Sequence, residues 1–254
     1  MKYTPKEMMI IAAARKIKNF DIVFCGTGIS ILAAMAAKNM NAPKSILFFE
    51  TGAVDSVLEE IPLAVSDSRV MYNASSYCSL VETFGYMQNR NTGKNIIGII
   101  GAAQIDKYGN LNSTCIGEYG SPEIRFPGSG GACDVASFVG RTIIFMKLEK
   151  RKFVEKVDYI TSPGWLASPD GRRKAGLSAD GPTCVVTDKG IMGFDKNSKE
   201  MYLSEIYPGV ELNEIENNIG FQIDTTRAQG TSPPLASEIE AIRKKSDPER
   251  LILD

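Results

Sequence analysis

Glu50 closes the apolar run Ser45-Ile46-Leu47-Phe48-Phe49 and is followed at once by Thr51-Gly52. A carboxylate at the mouth of a buried strand, beside a glycine that lets a ligand approach the backbone, is where an open α/β sheet places its chemistry. The chain contains no histidine, so the commonest general base is missing and Ser-His and Cys-His mechanisms fall away. Carboxylates, lysines and thiols remain. Position alone does not settle the role of Glu50, because a glutamate after a strand is also the ordinary first solvated residue of a loop.

Two later segments are dense in glycine and asparagine. The stretch 101–114 carries Gln104 and a Tyr108-Gly109-Asn110-Leu111-Asn112 core, and reads as a tight hairpin after a strand. The second is Arg125-Phe126-Pro127-Gly128-Ser129-Gly130-Gly131-Ala132-Cys133-Asp134, a loop opening a helix. Successive glycines free backbone N–H groups to point into a cavity, and a helix N-terminus adds partial positive charge. Such a loop holds a carboxylate, a phosphate or an oxyanion. Either segment also reads as a turn that only needs positive φ.

The elements that position these groups follow from patterning. Thr4-Pro5-Lys6-Glu7 supplies an N-cap, a proline at the first helical position and a capping-box glutamate, ahead of the apolar run 8–14. Arg15, Lys16 and Lys18 follow that run, so it reads as a soluble amphipathic helix rather than a signal peptide. Next come a strand over 21–25, the turn Gly26-Thr27-Gly28, a helix over 29–38 and a strand over 45–49. This alternation implies a parallel sheet with right-handed crossovers. The turn resembles half a dinucleotide fingerprint, yet the third glycine would fall at Ile31, which favours a plain strand-to-helix turn. Further strands are expected at 95–100, 142–146 and 157–161, with a hairpin of 183–187 and 190–194. Helices are expected at 75–87, 132–139, 203–206 and 212–218. After Ser232-Pro233-Pro234, a short charged helix over 236–245 reads as a peripheral tail.

Composition narrows the function class. The 254 residues suit one large α/β domain or two small ones. Twenty-nine basic residues against thirty acidic ones give a net charge of -1, so no global field favours nucleic acid or a membrane surface. Local groups must hold any anionic ligand. Cys25, Cys78, Cys115, Cys133 and Cys184 are odd in number and form no C-x-x-C pair, which fits reduced cysteines of a cytoplasmic protein and argues against a metal site. No stretch approaches the ~20 apolar residues of a membrane span.

The succession Phe49-Glu50-Thr51-Gly52, then Gly101-Ala102-Ala103-Gln104-Ile105-Asp106 with Tyr108-Gly109-Asn110-Leu111-Asn112-Ser113-Thr114, then Pro127-Gly128-Ser129-Gly130-Gly131-Ala132 with Asp134, resembles the beta subunits of class I coenzyme A transferases. The likeness takes in Arg141-Thr142-Ile143-Ile144 and the run from Asp158 to Gly164. It leaves residues 232–254 outside a beta-subunit domain spanning 1–231.

That resemblance implies an open, mainly parallel α/β sheet flanked by helices. It implies that Glu50, in a Glu-x-Gly setting, attacks an acyl-coenzyme A thioester and passes through a glutamyl-coenzyme A thioester. Thr51 stands where the usual motif has asparagine. The backbone N–H groups of Gly130 and Gly131 would hold the oxyanion, while Gly52, Gln104, Asn110, Asn112 and Gly128 would line the coenzyme and substrate site. Coenzyme A is then a substrate rather than a resident cofactor, no metal is required, and a separate alpha subunit completes a heterodimer or heterotetramer. A dicarboxylate such as glutaconate leads as acceptor, with aromatic and alicyclic acids also compatible. Arg125 or Arg141 reads either as a clamp on a distal carboxylate or as a structural or interface cation. Relatives of this fold act as ring-opening hydrolases or decarboxylases, in which the glutamate tends to be replaced, and related domains sense ligands without catalysis.

Overall fold

In the computed structural model, which describes residues 2–26, 28–178 and 180–253, the Thr4 capping box starts helix α1 (Pro5–Ala14). Thr4 Oγ1 accepts from Glu7 N at 3.2 Å, and the Glu7 carboxylate accepts from Thr4 N at 2.8 Å. Every residue from Met8 to Ala14 is buried. The helix is therefore covered on all sides, where one-sided amphipathicity had been expected, because a helix apolar all round must be enclosed.

Two compact units are present, residues 1–99 with 233–254, and residues 100–232. In the first, β1 (Ile22–Cys25), helix α2 (Ile29–Met40) and β2 (Ile46–Phe48) follow α1 as the alternation implied. Gly28 caps α2 at φ +74°, a conformation that suits glycine; Thr27, the middle of the expected turn, lies outside the described residues. Then come β3 (Ala53–Val54), β4 (Ser76–Tyr77), α3 (Leu80–Gln88), the short α4 (Arg90–Gly93) and β5 (Ile96–Gly101). Strand order is β5-β1-β2-β3-β4. Both β2 and β5 run parallel to β1, with Ile22 opposite Ile46 and Ile96, whereas β3 and β4 are antiparallel.

Helix α3 begins later than expected. Residues 75–79 are extended or paired in β4 because Ser79 accepts from Glu82 N at 3.2 Å while the Glu82 carboxylate accepts from Ser79 N at 2.7 Å, a capping box that fixes the start at Leu80.

The second unit opens with the expected hairpin, β6 (Gln104–Ile105) against β7 (Leu111–Asn112), followed by β8 (Cys115–Ile116) paired with β9 (Ile124–Arg125). Helix α5 (Ala132–Phe138) leads to β10 (Arg141–Phe145). After α6 (Gly171–Lys174), β11 (Pro182–Val186), β12 (Gly190–Phe194) and β13 (Met201–Ile206) form an antiparallel meander, with β11 parallel to β10. Helix α7 (Leu212–Asn217) and β14 (Gln229–Gly230), parallel to β13, complete it.

Two expectations fail here. Residues 203–206 belong to a strand rather than a helix: Met201 and Leu203 are buried and Tyr202 and Ser204 half-buried, a period of two that pairs with β12. Residues 157–161 form no strand, because the Asp158 and Thr161 side chains are committed to the neighbouring loops and Tyr159 and Ile160 face out.

The C-terminal segment returns to the first unit as α8 (Ala236–Glu240), continued by a π-helical turn over Ala241–Ser246. Set apart in the sequence as a tail, it packs on α1 and α2 and buries Ile239, Ala241, Ile242 and Leu253. Arg15 reaches Glu238 at 2.6 Å, Arg243 reaches the buried Glu7 at 2.6 Å, and Lys6 Nζ donates to Ile252 O at 2.8 Å. This segment closes the outer face of α1, whose apolar run Met8–Ala14 is buried throughout.

Candidate active site

The β2–β3 connection is a tight turn in which Gly52 N donates to Phe49 O at 2.9 Å and Phe49 N to Ala53 O at 3.1 Å. Glu50 occupies the bend, half-buried. Among the described residues nothing donates to its carboxylate, so both oxygens are available. Gly52 is held from the other side: its carbonyl accepts from Cys78 N at 2.9 Å and from Cys78 Sγ at 3.3 Å. At φ +95°, a Cβ on Gly52 would stand 1.7 Å from Cys78 O. Glycine is thus obligatory, to let two backbones meet behind the carboxylate rather than to admit a ligand. Thr51 Oγ1 is buried without a hydrogen-bond partner among the described residues. Beneath the turn, Lys38 pairs with Asp55 and donates to Ser45 O at 2.9 Å.

Thiol chemistry is not available at the end of β1. Complete burial pushes the Cys25 thiol up to about 12, which leaves it protonated at neutral pH and inert as a nucleophile. None of the five cysteines is in a disulfide, and among the described residues no group of three or more His, Cys, Asp or Glu could hold a metal ion.

In the second unit the conspicuous polar residues form two hydrogen-bonded clusters, one around Gln104 and Asn112 and one around Asn110 and Asp106. Asn112 Nδ2 donates to Gln104 Oε1 and to Cys115 O, both at 2.6 Å, and its Oδ1 accepts from Thr114 N at 2.9 Å. Gln104 Nε2 donates to Asp158 Oδ2 at 3.0 Å, and the same oxygen accepts from Gly117 N at 3.0 Å. Asn110 Oδ1 accepts from Gly164 N at 2.9 Å and Leu166 N at 3.2 Å, while its Nδ2 donates to Asp106 Oδ2 at 2.9 Å. Burial holds the Asp106 carboxyl above its usual range, although Asn110 and Tyr108 donate to it. Gln104, Asn110 and Asn112 are 5%, 2% and 0% exposed. Their amides are spent on shaping the loops.

The glycine-rich loop is built differently. Phe126 N donates to Thr114 O at 2.9 Å and Gly128 N to Ser113 O at 3.0 Å, which lays the loop along the segment after Asn112. Gly128 and Gly130 have φ +98° and +51°, and a Cβ on either would meet open space. Their requirement is conformational. Gly131 caps α5 with no side-chain bond, and the N–H groups of Gly130 and Gly131 donate to nothing among the described residues.

Arg125 is exposed on β9, with Nη2 donating to Tyr119 O at 2.7 Å and its guanidinium 4.7 Å from the Tyr119 ring centre. Tyr119 in turn stacks on Tyr159 at 5.2 Å. Arg141 opens β10, half-buried.

Arg172 escaped the sequence reading. In the run Gly171-Arg172-Arg173-Lys174 it looks like any solvated cation, yet it is 2% exposed. It donates to the carbonyls of Ala136 and Ser137 at the end of α5 (3.0 and 3.1 Å), to Pro163 and Gly164 (3.1 and 3.0 Å), and to Ser178 O at 3.0 Å. Burial pulls its pKa down to about 10. With Asn110 holding Gly164 N, Arg172 joins the hairpin loop to the helix that carries the glycine-rich loop. No pattern in the sequence separates it from Arg173.

The family described as Coenzyme A transferase matches residues 6–218. The B subunit of glutaconate CoA-transferase from Acidaminococcus fermentans is 43% identical, over 97% of this chain and 93% of its own. The B subunit of 3-oxoadipate CoA-transferase from Pseudomonas knackmussii is 34% identical, over 95% and 92%. The crystal structure of the Acidaminococcus fermentans glutaconate coenzyme A-transferase superposes with a TM-score of 0.96 at 41% identity, covering 100% of this chain and 98% of that one. The decarboxylase AibA/AibB superposes with a TM-score of 0.83 at 22% identity, over 98% and 97%, a likeness of fold alone. Match and relatives alike span nearly the whole chain, so this protein belongs to the coenzyme A transferase family.

Proposed function

We propose that the chain is the beta subunit of an enzyme that moves coenzyme A from an acyl-coenzyme A to a free carboxylic acid, with Glu50 as covalent nucleophile. The observation that carries this is the Glu50 turn: a carboxylate fixed by backbone alone, with neither oxygen engaged, in a coenzyme A transferase. Glu50 attacks the thioester carbonyl, the carbon–sulfur bond breaks, and an acyl-glutamyl anhydride forms with release of coenzyme A thiolate. The thiolate attacks the glutamyl carbonyl and expels the first acid as its carboxylate, leaving a glutamyl thioester. The acceptor carboxylate then repeats both steps in reverse. No net proton transfer is required, which suits a chain without histidine.

A carboxylate is a weak nucleophile, so the route depends on donors prepared for each oxyanion. In this proposal the Gly130 and Gly131 N–H groups supply them. Gly128 shapes that loop, Gly52 fixes the nucleophile turn, and Gln104, Asn110 and Asn112 hold the coenzyme-facing loops in shape. Coenzyme A enters and leaves as substrate. The companion is a separate alpha subunit, since both similar transferases carry this chain's counterpart as one of their subunits, and the acid is a dicarboxylate such as glutaconate.

The test is to mix the two-subunit enzyme with acyl-coenzyme A, quench with borohydride and map peptides by mass. A reduced Glu50 peptide is expected. Turnover without modification of Glu50 would sink the covalent route, and release of free acid without an acceptor would reassign the enzyme to hydrolysis.

A further inference from the structure

Helix α2 starts with an unoccupied first turn. Its first intrahelical bond runs from Leu32 N to Gly28 O at 3.3 Å, and the N–H groups of Ile29, Ser30 and Ile31 donate to no acceptor among the described residues. Gly28 offers no side chain as a cap, and the first turn holds no acidic residue. At 12 residues the helix is long enough for these unpaired N–H groups to carry the partial positive charge of a helix N-terminus. The same turn holds a further donor. Ser30 is 7% exposed, and its hydroxyl has no hydrogen-bond partner among the described residues. The Cα–Cβ bonds of a helix lean toward its N-terminus, so this hydroxyl is directed to the same end as the free N–H groups. A buried hydroxyl without a partner is costly, and an acceptor supplied by a ligand would satisfy it and the turn together.

The location selects the ligand. Strands β1 and β2 are parallel neighbours, with Phe24 opposite Phe48. Neighbouring strands lie about 5 Å apart, so the connection into α2 and the Glu50 turn leave the same edge of the sheet side by side. An anion held at α2 is therefore next to Glu50. The phosphates of coenzyme A are kept a pantetheine arm away from its sulfur, whereas the carboxylate of the acid must come within bonding distance of the glutamyl carbonyl. We infer that the α2 N-terminus, with Ser30, is the subsite for the carboxylate of the acid substrate. The inference rests on the reading of Glu50 as nucleophile. Charge sets the order of binding. In the resting enzyme the Glu50 carboxylate repels a second anion, and conversion to the neutral glutamyl thioester removes that repulsion. The subsite then fills when the acceptor is needed: one carboxylate oxygen takes the helix donors, and the other attacks the glutamyl carbonyl and expels the coenzyme A thiolate.

The test loads the two-subunit enzyme as its glutamyl-coenzyme A thioester and discharges it with an acid or with hydroxylamine, a neutral nucleophile. The acid is glutaconate, acetate or benzoate, whichever discharges the wild-type enzyme fastest. Ser30→Ala is expected to raise the acid concentration for half-maximal discharge about 10-fold and to leave discharge by hydroxylamine unchanged. Ser30→Asp places a fixed carboxylate in the first turn and is expected to abolish discharge by the acid alone. Equal slowing with both nucleophiles, or no change with either, overturns the inference. So does a raised KM for the acyl-coenzyme A with discharge by the acid intact, which would put a coenzyme phosphate at α2. A second arm measures acid binding by calorimetry to the Glu50→Gln enzyme, which lacks the repelling charge. Binding tighter than to wild type, and weakened about 10-fold by added Ser30→Ala, is expected. A wild-type enzyme that forms no glutamyl thioester defeats the nucleophile reading instead, and the calorimetry still decides the subsite.

Discussion

The Glu50 turn and the Gln104–Asn112–Asp158 framework solve opposite problems. The first fixes a charged side chain by its backbone and leaves the charge unengaged. The second engages its amides and carboxylate among themselves and with backbone. Buried polar groups are stable only when satisfied, because the low local dielectric makes each unmade bond expensive. A group proposed to react must stay unsatisfied, and Glu50 sits half-buried at a bend with neither oxygen engaged among the described residues. The asparagines that attract attention in the sequence are scaffold, and in the proposed mechanism Glu50 is the reagent.

Breaking the reagent should cost most. Glu50→Gln is expected to lower coenzyme A transfer on the order of 10⁴-fold or more, with an unchanged melting temperature, measured by acyl exchange beside calorimetry. A loss of stability there would show that the carboxylate is scaffold after all. Gly52→Ala comes next, because its methyl would overlap Cys78 O at positive φ; about 3 kcal/mol of destabilisation, with loss of transfer, is expected from denaturant titration.

Cutting the framework should act on stability before chemistry. Asn112→Ala strands Cys115 O and the Thr114 and Cys115 N–H groups and leaves Gln104 Oε1 to Asp158 N alone, for roughly 2–3 kcal/mol. Its transfer rate at saturating coenzyme A ester should fall less than its affinity.

A smaller, pH-dependent effect tests the C-terminal clamp on α1. Burial disfavours the Glu7 carboxylate, but donation from Arg243 and Thr4 more than offsets this and holds its pKa below the ordinary value. A depressed folded pKa means stabilisation present above the unfolded value of ~4.3 and lost as pH falls through the folded one. Glu7→Gln should therefore be less stable than wild type near neutrality, by about 1–2 kcal/mol, with the gap closing in acid. Denaturant midpoints across that range check it. Thr51→Val should have the least effect, under ~1 kcal/mol and neutral or stabilising, because the hydroxyl it removes has no partner among the described residues. A fall in transfer with Thr51→Val would show that this hydroxyl meets substrate.

Much of this was legible in the residues. The capping box of α1, the strand–helix alternation to residue 50, the β6–β7 hairpin and the β11–β12 hairpin are local, decided within a few residues by turn chemistry and periodicity. The misreadings share a cause. Residues 203–206 and 157–161 are short segments whose form is set by partners outside themselves, the neighbouring strand β12 in one case and the distant Gln104 and Ser113 in the other. The tail was misjudged because its charges face Arg15 and Glu7 across more than two hundred residues.

Sequence alone determined the reaction class available, a carboxylate route in a chain without histidine, and the family to which the motifs belong. Tertiary structure decided which polar groups are free to react. Glycine at position 52 could be read as access for a ligand, yet the fold shows it admitting the Cys78 backbone. Asn110 and Asn112 could be read as ligand contacts, yet their bonds are closed by Gly164, Cys115 and Gln104. The physical reason is that hydrogen-bond satisfaction is a property of neighbours in space, and composition and spacing fix a residue's capacity to bond without fixing its partners.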